Sequence, residues 1–116
     1  MAFPVSSAKS QLMTDEPVNA IVASVRERLR CVRLMNGFKS RRAFAEHLGL
    51  VETNYYKEES GQIGVQPNTL VVVARAFRIS LDYLLMGDEG ALTVNQLNSL
   101  RDVQNSTAAE KQAGRD

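Results

Sequence analysis

From Val18 the apolar residues fall at Val18, Ile21, Val22, Val25, Leu29, Val32 and Met35. Spacings of three and four place them in one stripe of an α-helix. Asp15 ahead of Glu16 and Pro17 supplies a helix start, and Asn36-Gly37 a stop that tolerates positive φ. Ser40 caps a second, short helix with Ala43, Phe44, His47 and Leu48 on one side, ending at Gly49. Leu50-Val51 is a tight turn, and a third helix is expected from about Glu52 to Glu59, stopping at Gly61. Residues 61–64 read as a loop. Pro67 suits the first turn of a fourth helix that turns Leu70, Val73, Ala74 and Phe77 inward. The run Val71-Val72-Val73 favours a strand by propensity, but the helical spacing around it outweighs that preference.

Ser80 caps a fifth helix, Leu81 to Met86, closed by Gly87. Leu92, Leu97, Leu100 and Val103, with Thr93 as cap, predict a sixth. The expected fold is therefore all-α: a five-helix domain over residues 15–88 with a short additional C-terminal helix within 89–104. Residues 1–14 read as a flexible arm and the polar residues 105–116 as a disordered tail. No internal repeat is visible.

Two short helices joined by a tight glycine-containing turn are the helix-turn-helix arrangement, in which the second helix lies in a groove about 12 Å wide. The same spacing also describes an ordinary αα-hairpin. Small Ala45 sits where the two helices must approach closely, and Gly49 permits the turn.

The charge pattern adds to this. The formal net charge is only +1. Residues 26–42, however, carry Arg26, Arg28, Arg30, Arg33, Lys39, Arg41 and Arg42 against Glu27, seven cations less one anion, or +6. Residues 43–66 set Lys57 against Glu46, Glu52, Glu58 and Glu59, or −3. Local fields rather than totals steer a polyanion. The basic block reads either as a polyanion-binding surface or as a solvated helix face.

The stretches Phe44 to Leu50, Glu59 with Gly61, and Ile79 to Gly87 together resemble the Cro and lambda-repressor-like (XRE) family of DNA-binding proteins. Phe44-Ala45-Glu46-His47-Leu48-Gly49-Leu50 is similar to that family's second helix and turn. Gly61 after Glu59 resembles the ending of its recognition helix, with Glu58 where an aromatic is usual. Ile79-Ser80-Leu81-Asp82-Tyr83-Leu84-Leu85-Met86-Gly87 resembles the family's "V-S-L-D-Y-L-L-x-G" nearly residue for residue, and Leu70 and Ala74 fall on its fourth-helix positions. The resemblance covers about residues 20–87. It implies a five-helix lambda-repressor-like domain, usually dimeric, that acts as a transcription regulator, usually a repressor, on double-stranded DNA. Val65 stands where the family often has Pro, and Arg78 where Gly or Asn is frequent.

Geometry and resemblance together give the expected roles. Arg41 and Arg42 would contact phosphate. Glu52, Thr53, Tyr56 and Lys57 face away from Tyr55, which is placed in the core, and would contact bases or backbone. Asn54 is a further candidate, or bonds locally in its own turn. Three acids on a recognition helix would repel phosphate. Glu59 can turn inward, and Glu52 can accept from a cytosine amino group. Otherwise binding is weak, or the partner is a protein, as for an antitoxin or adaptor using the same fold.

Other chemistries find little support. A single Cys allows no internal disulfide and no Cys-based metal site. Lone His47 lacks companions for a metal site, and Cys31 flanks the first stripe as an inert side chain. No phosphate loop or activated nucleophile points to an enzyme. No metal, cofactor or small-molecule ligand is expected. Neither a signal peptide nor an apolar run of the roughly 18 residues a membrane span needs is present, so the expected location is cytoplasmic. The expected oligomer is a homodimer, as the resemblance implies and as the short reach of one recognition helix requires. The apolar side of residues 92–104 is the expected dimer contact, with packing on their own domain as the alternative.

Overall fold

A computed structural model of the chain describes residues 20, 21 and 23–113. The expected cap at Asp15, the stripe residues Val18 and Val22, the arm 1–14 and residues 114–116 lie outside that range. The described chain is all-helical, with no strand. Helix α1 covers residues 23–35, with 20 and 21 helical as well. It is followed by α2 (Arg41–Leu48), α3 (Glu52–Ser60), α4 (Pro67–Phe77), α5 (Leu81–Met86), a 3-10 turn (Glu89–Ala91) and α6 (Val94–Ala113).

Local chemistry sets the element ends. The Ser40 hydroxyl accepts from the Ala43 N–H at 3.0 Å, and the Ser80 hydroxyl from that of Asp82 at 3.0 Å. Each hydroxyl satisfies an amide that the first helical turn leaves without a partner. Thr93 and Gln96 form a reciprocal capping box at the head of α6: the Gln96 N–H donates to Thr93 Oγ1 at 3.1 Å and the Thr93 N–H to Gln96 Oε1 at 2.9 Å. Pro67 opens α4 as its missing N–H allows. Gly49 ends α2 at φ 71°, in the left-handed region. Arg78 ends α4 in the same region, at φ 52°, and is the single non-glycine there among the described residues. Val71-Val72-Val73 lies within α4: only Val73 is fully buried, and Val71 faces solvent.

The core gathers Val25, Leu29 and Val32 of α1, Phe44 and Ala45 of α2, and Tyr55 of α3. Leu70 and Val73 of α4, Ile79, and Tyr83 and Leu84 of α5 complete its centre. Phe44 stacks on Phe77 with ring centroids 5.5 Å apart. His47 lies at the rim of the same aromatic group, 5.0 Å from Phe38 and 6.0 Å from Phe77. Cys31 is buried and free, and burial pushes its thiol pKa up, away from reactivity.

The C-terminal helix departs from expectation in two ways. It runs past residue 104 to Ala113, through the stretch that polar composition assigned to a disordered tail. That stretch has no Gly or Pro before Ala113, and Ala108, Ala109, Glu110, Lys111, Gln112 and Ala113 are nearly all strong helix formers. Its apolar side also packs on its own domain. Leu100 is fully buried in the core, and Leu92, Leu97 and Val103 lie against it. Gln96 Nε2 donates to the Arg78 carbonyl at 3.0 Å, and Arg101 pairs with Glu89 at 2.7 Å. The aliphatic side offered as a dimer seam is thus occupied within the chain.

Candidate nucleic-acid interface

Helices α2 and α3 meet around Ala45, which is fully buried where a larger side chain would hold them apart. The turn closes through the Leu50 N–H, which donates to the Ala45 carbonyl at 2.9 Å. Val51 offers α3 no side-chain cap.

Helix α3 is divided lengthwise. Its inner side carries Tyr55, Glu58 and Glu59, all buried. Glu59 accepts from Arg33 of α1 at 2.9 and 3.0 Å, and from the Tyr55 hydroxyl at 2.6 Å. The remaining Arg33 nitrogen donates to the Phe38 and Lys39 carbonyls at 2.9 and 2.7 Å. One guanidinium thereby fixes α3 against α1 and also holds the segment that leads into α2. The fork matches the carboxylate in the bidentate geometry that makes such pairs strong. Burial, then the adjacent Glu59 carboxylate, pushes the Tyr55 phenol pKa well above its ordinary value, so it stays a donor. Glu58 accepts from the Gln66 N–H at 3.3 Å, ahead of α4.

These contacts correct the reading of an acidic recognition helix. Of its three carboxylates only Glu52 faces solvent. Glu59 turns inward as expected, to the Arg33 and Tyr55 side chains. Glu58 also turns inward. Three and four residues after core-facing Tyr55, both share its side, and that spacing is the signal by which the sequence could have shown it.

The outer side carries Glu52, Thr53, Tyr56 and Lys57, all exposed, as the helical geometry predicts. Asn54 is exposed on a different flank, lining a groove with Gly49, Glu58, Gln66 and Asn68 toward the head of α4. From the start of α2 the Arg41 guanidinium lies over the Tyr56 ring, 4.4 Å from its centroid. Arg42 Nε sits 3.4 Å from Glu46 and 4.0 Å from Glu52. Glu46 had no expected role, although the i, i+4 spacing to Arg42 marks such a pair.

The basic block of residues 26–42 does not form one surface. Arg33 is buried, and Arg30 pairs with Glu27 at 3.0 Å. Arg28 donates to the Leu84 and Leu85 carbonyls at 3.1 and 3.0 Å, closing the end of α5. Arg26 lies over Gly61, where a Cβ would collide with its guanidinium. Around the start of α2 and the outer side of α3, Lys39, Arg41, Arg42 and Lys57 stand against Glu46 and Glu52, four cations less two anions, or +2.

No protein-family model, curated protein or solved structure matches the chain. No helix among the described residues is long and apolar enough to cross a membrane.

Proposed function

We propose that the chain is a sequence-specific double-stranded DNA-binding regulator, a repressor of the Cro and lambda-repressor-like kind, that lays α3 in the major groove. The observation that carries the reading is the division of α3. Its inner side is fixed by Tyr55, Glu58 and Glu59, while Glu52, Thr53, Tyr56 and Lys57 are exposed beside the cations of α2. A helix held on one side and polar on the other suits a groove whose base edges offer donors and acceptors. The motif resemblance in α2 and α5 supports the same reading. The proposed role is binding rather than catalysis, and the proposed location the cytoplasm.

A lone recognition helix reads only a few base pairs, so a homodimer engaging two half-sites about 34 Å apart belongs to the proposal. With Leu97, Leu100 and Val103 packed on the core, that dimer needs a contact other than the apolar side of α6.

The test is a mobility-shift titration on DNA upstream of the chain's own gene, beside selection from random duplexes. We expect a defined motif. Arg41→Ala should weaken binding to all duplexes alike and lower the salt slope by about one, because a phosphate contact releases condensed counterions without reading sequence. Failure to enrich any motif would favour the second reading, a protein-interaction module of the antitoxin or adaptor kind. The observation that favours it is the pair of carboxylates, Glu46 and Glu52, held against Arg42.

A further inference from the structure

Both arginines at the start of α2 reach across to α3, but in different company. Arg41 is stacked on Tyr56, and among the described residues its guanidinium has no carboxylate partner. Arg42 lies between two carboxylates, with Nε 3.4 Å from Glu46 and 4.0 Å from Glu52. One cation between two anions leaves a local sum of −1, which disfavours the approach of a phosphate. The Arg42 side chain is nevertheless 71% exposed and that of Glu52 52%. Among the described residues the two terminal nitrogens of Arg42 donate to no protein acceptor, because the only hydrogen bond it makes is through Nε. Glu52 is the first residue of α3, where the helix dipole favours negative charge.

We infer that Arg42 and Glu52 form one donor–acceptor unit that reads a single G·C base pair. The inference rests on the DNA-binding reading above. In the major groove a G·C pair presents, in order, guanine N7 and O6 as acceptors and the cytosine amino group as donor. The unit offers the complement: two N–H donors from the free end of Arg42, then a carboxylate oxygen of Glu52. Nε, turned to the carboxylates, keeps the fork end outward. The reversed C·G pair presents its donor first, and A·T places an amino group against the second arginine donor, so both leave a polar group opposed by its own kind. Glu46 acts as a positioning residue that holds Nε from the α2 side. Arg42 is thereby assigned to base reading, and the phosphate role falls to Arg41.

The experiment is selection from random duplexes with the wild-type chain, Arg42→Lys and Glu52→Ala, followed by titration on the enriched site and its single-pair variants. Both side chains are exposed, so the variants should melt with the wild type. The wild type should require G·C at one position of each half-site, with substitution there weakening binding about 5- to 150-fold, the range for a bidentate contact. Arg42→Lys keeps the charge and loses the rigid fork, and should weaken the preference at that position alone, since an ammonium can still donate to guanine. Glu52→Ala should relax the same position, and the double variant should be no worse than the poorer single one. Arg42→Gln should leave the salt slope unchanged. A preference at that position undiminished in Arg42→Lys and in Glu52→Ala, or a salt slope lowered by about one in Arg42→Gln with the motif intact, overturns the inference alone. A wild-type chain that enriches no motif overturns it together with the reading it rests on.

Discussion

Helices α3 and α6 are both polar in composition and are held to the domain by opposite means. In α3 the Tyr55 ring enters the core, and the other buried contacts are directional: Glu59 accepts three hydrogen bonds from Arg33 and Tyr55, and Glu58 accepts from the Gln66 N–H. In α6 they are aliphatic, with Leu100 buried at the centre and Leu97 and Val103 beside it. Hydrophobic burial is non-directional and tolerates small slides. A bidentate pair does not, because a rotation of α3 about its axis would leave buried charges unpaired. The helix proposed to meet base edges is thus the one whose rotation is fixed.

The largest loss is expected at Glu59. Glu59→Ala leaves Arg33 charged and buried without its partner, and should lower the unfolding free energy by about 3–5 kcal/mol. Replacing both members, Arg33→Met with Glu59→Leu, should lose much less, since no charge is stranded. Denaturant melts of the three variants test this, and equal losses from the single and the double change would show that the pair is not what holds α3. Leu100→Ala should cost about 2–5 kcal/mol through lost burial and the cavity left behind. It should detach α6, read as faster amide exchange over 94–113, while leaving the α3 amides protected.

Alkaline pH should act on α3 more than on α6. The Tyr55 phenol is held protonated in the fold, by burial first and by Glu59 second, while the unfolded chain ionises near pH 10. Its contribution is therefore whole below about pH 10 and falls as pH rises past that value, because the unfolded state then releases a proton that the folded state retains. Tyr55→Phe should flatten that limb in melts from pH 8 to 11. The slope that remains includes Tyr83 of α5, also raised by burial, to about 12.

The smallest effect expected is a gain. Arg78 adopts φ 52° at the end of α4, so Arg78→Gly should stabilise by about 1 kcal/mol by relieving a left-handed conformation. A loss there would mean that the side chain makes a contact that outweighs the strain.

What was legible in the sequence was local. Ser40, Ser80 and Thr93 cap the helices they precede, Gly49 ends α2 and Pro67 opens α4, because such signals act on residues within a turn of themselves. The buried and exposed sides of α3 followed from Tyr55 by periodicity. What could not be read was which charges meet. Arg33 and Glu59 are 26 positions apart, and Arg28 and the Leu84 carbonyl 56. Counted along the chain, residues 26–42 form a basic block and residues 52–59 an acidic helix; folded, Arg33, Glu58 and Glu59 are buried and Arg28 and Arg30 are engaged within the chain. The side on which α6 packs was equally closed to periodicity, which finds an apolar face but not its neighbour.

The reach of Arg28 also bears on how the chain folds. Its fork closes the end of α5 across 56 positions, and Arg33, five residues on, closes α3 across 26. Helix α1 is thus tied to two elements that a ribosome would deliver much later. Closing a loop of that length adds entropy cost only slowly with length, but the cost comes before the contact rewards it. Arg33 cannot meet Glu59 until α3 is made, nor Arg28 the Leu84 carbonyl until α5 is made, so the domain should appear in one cooperative step, with no stable half.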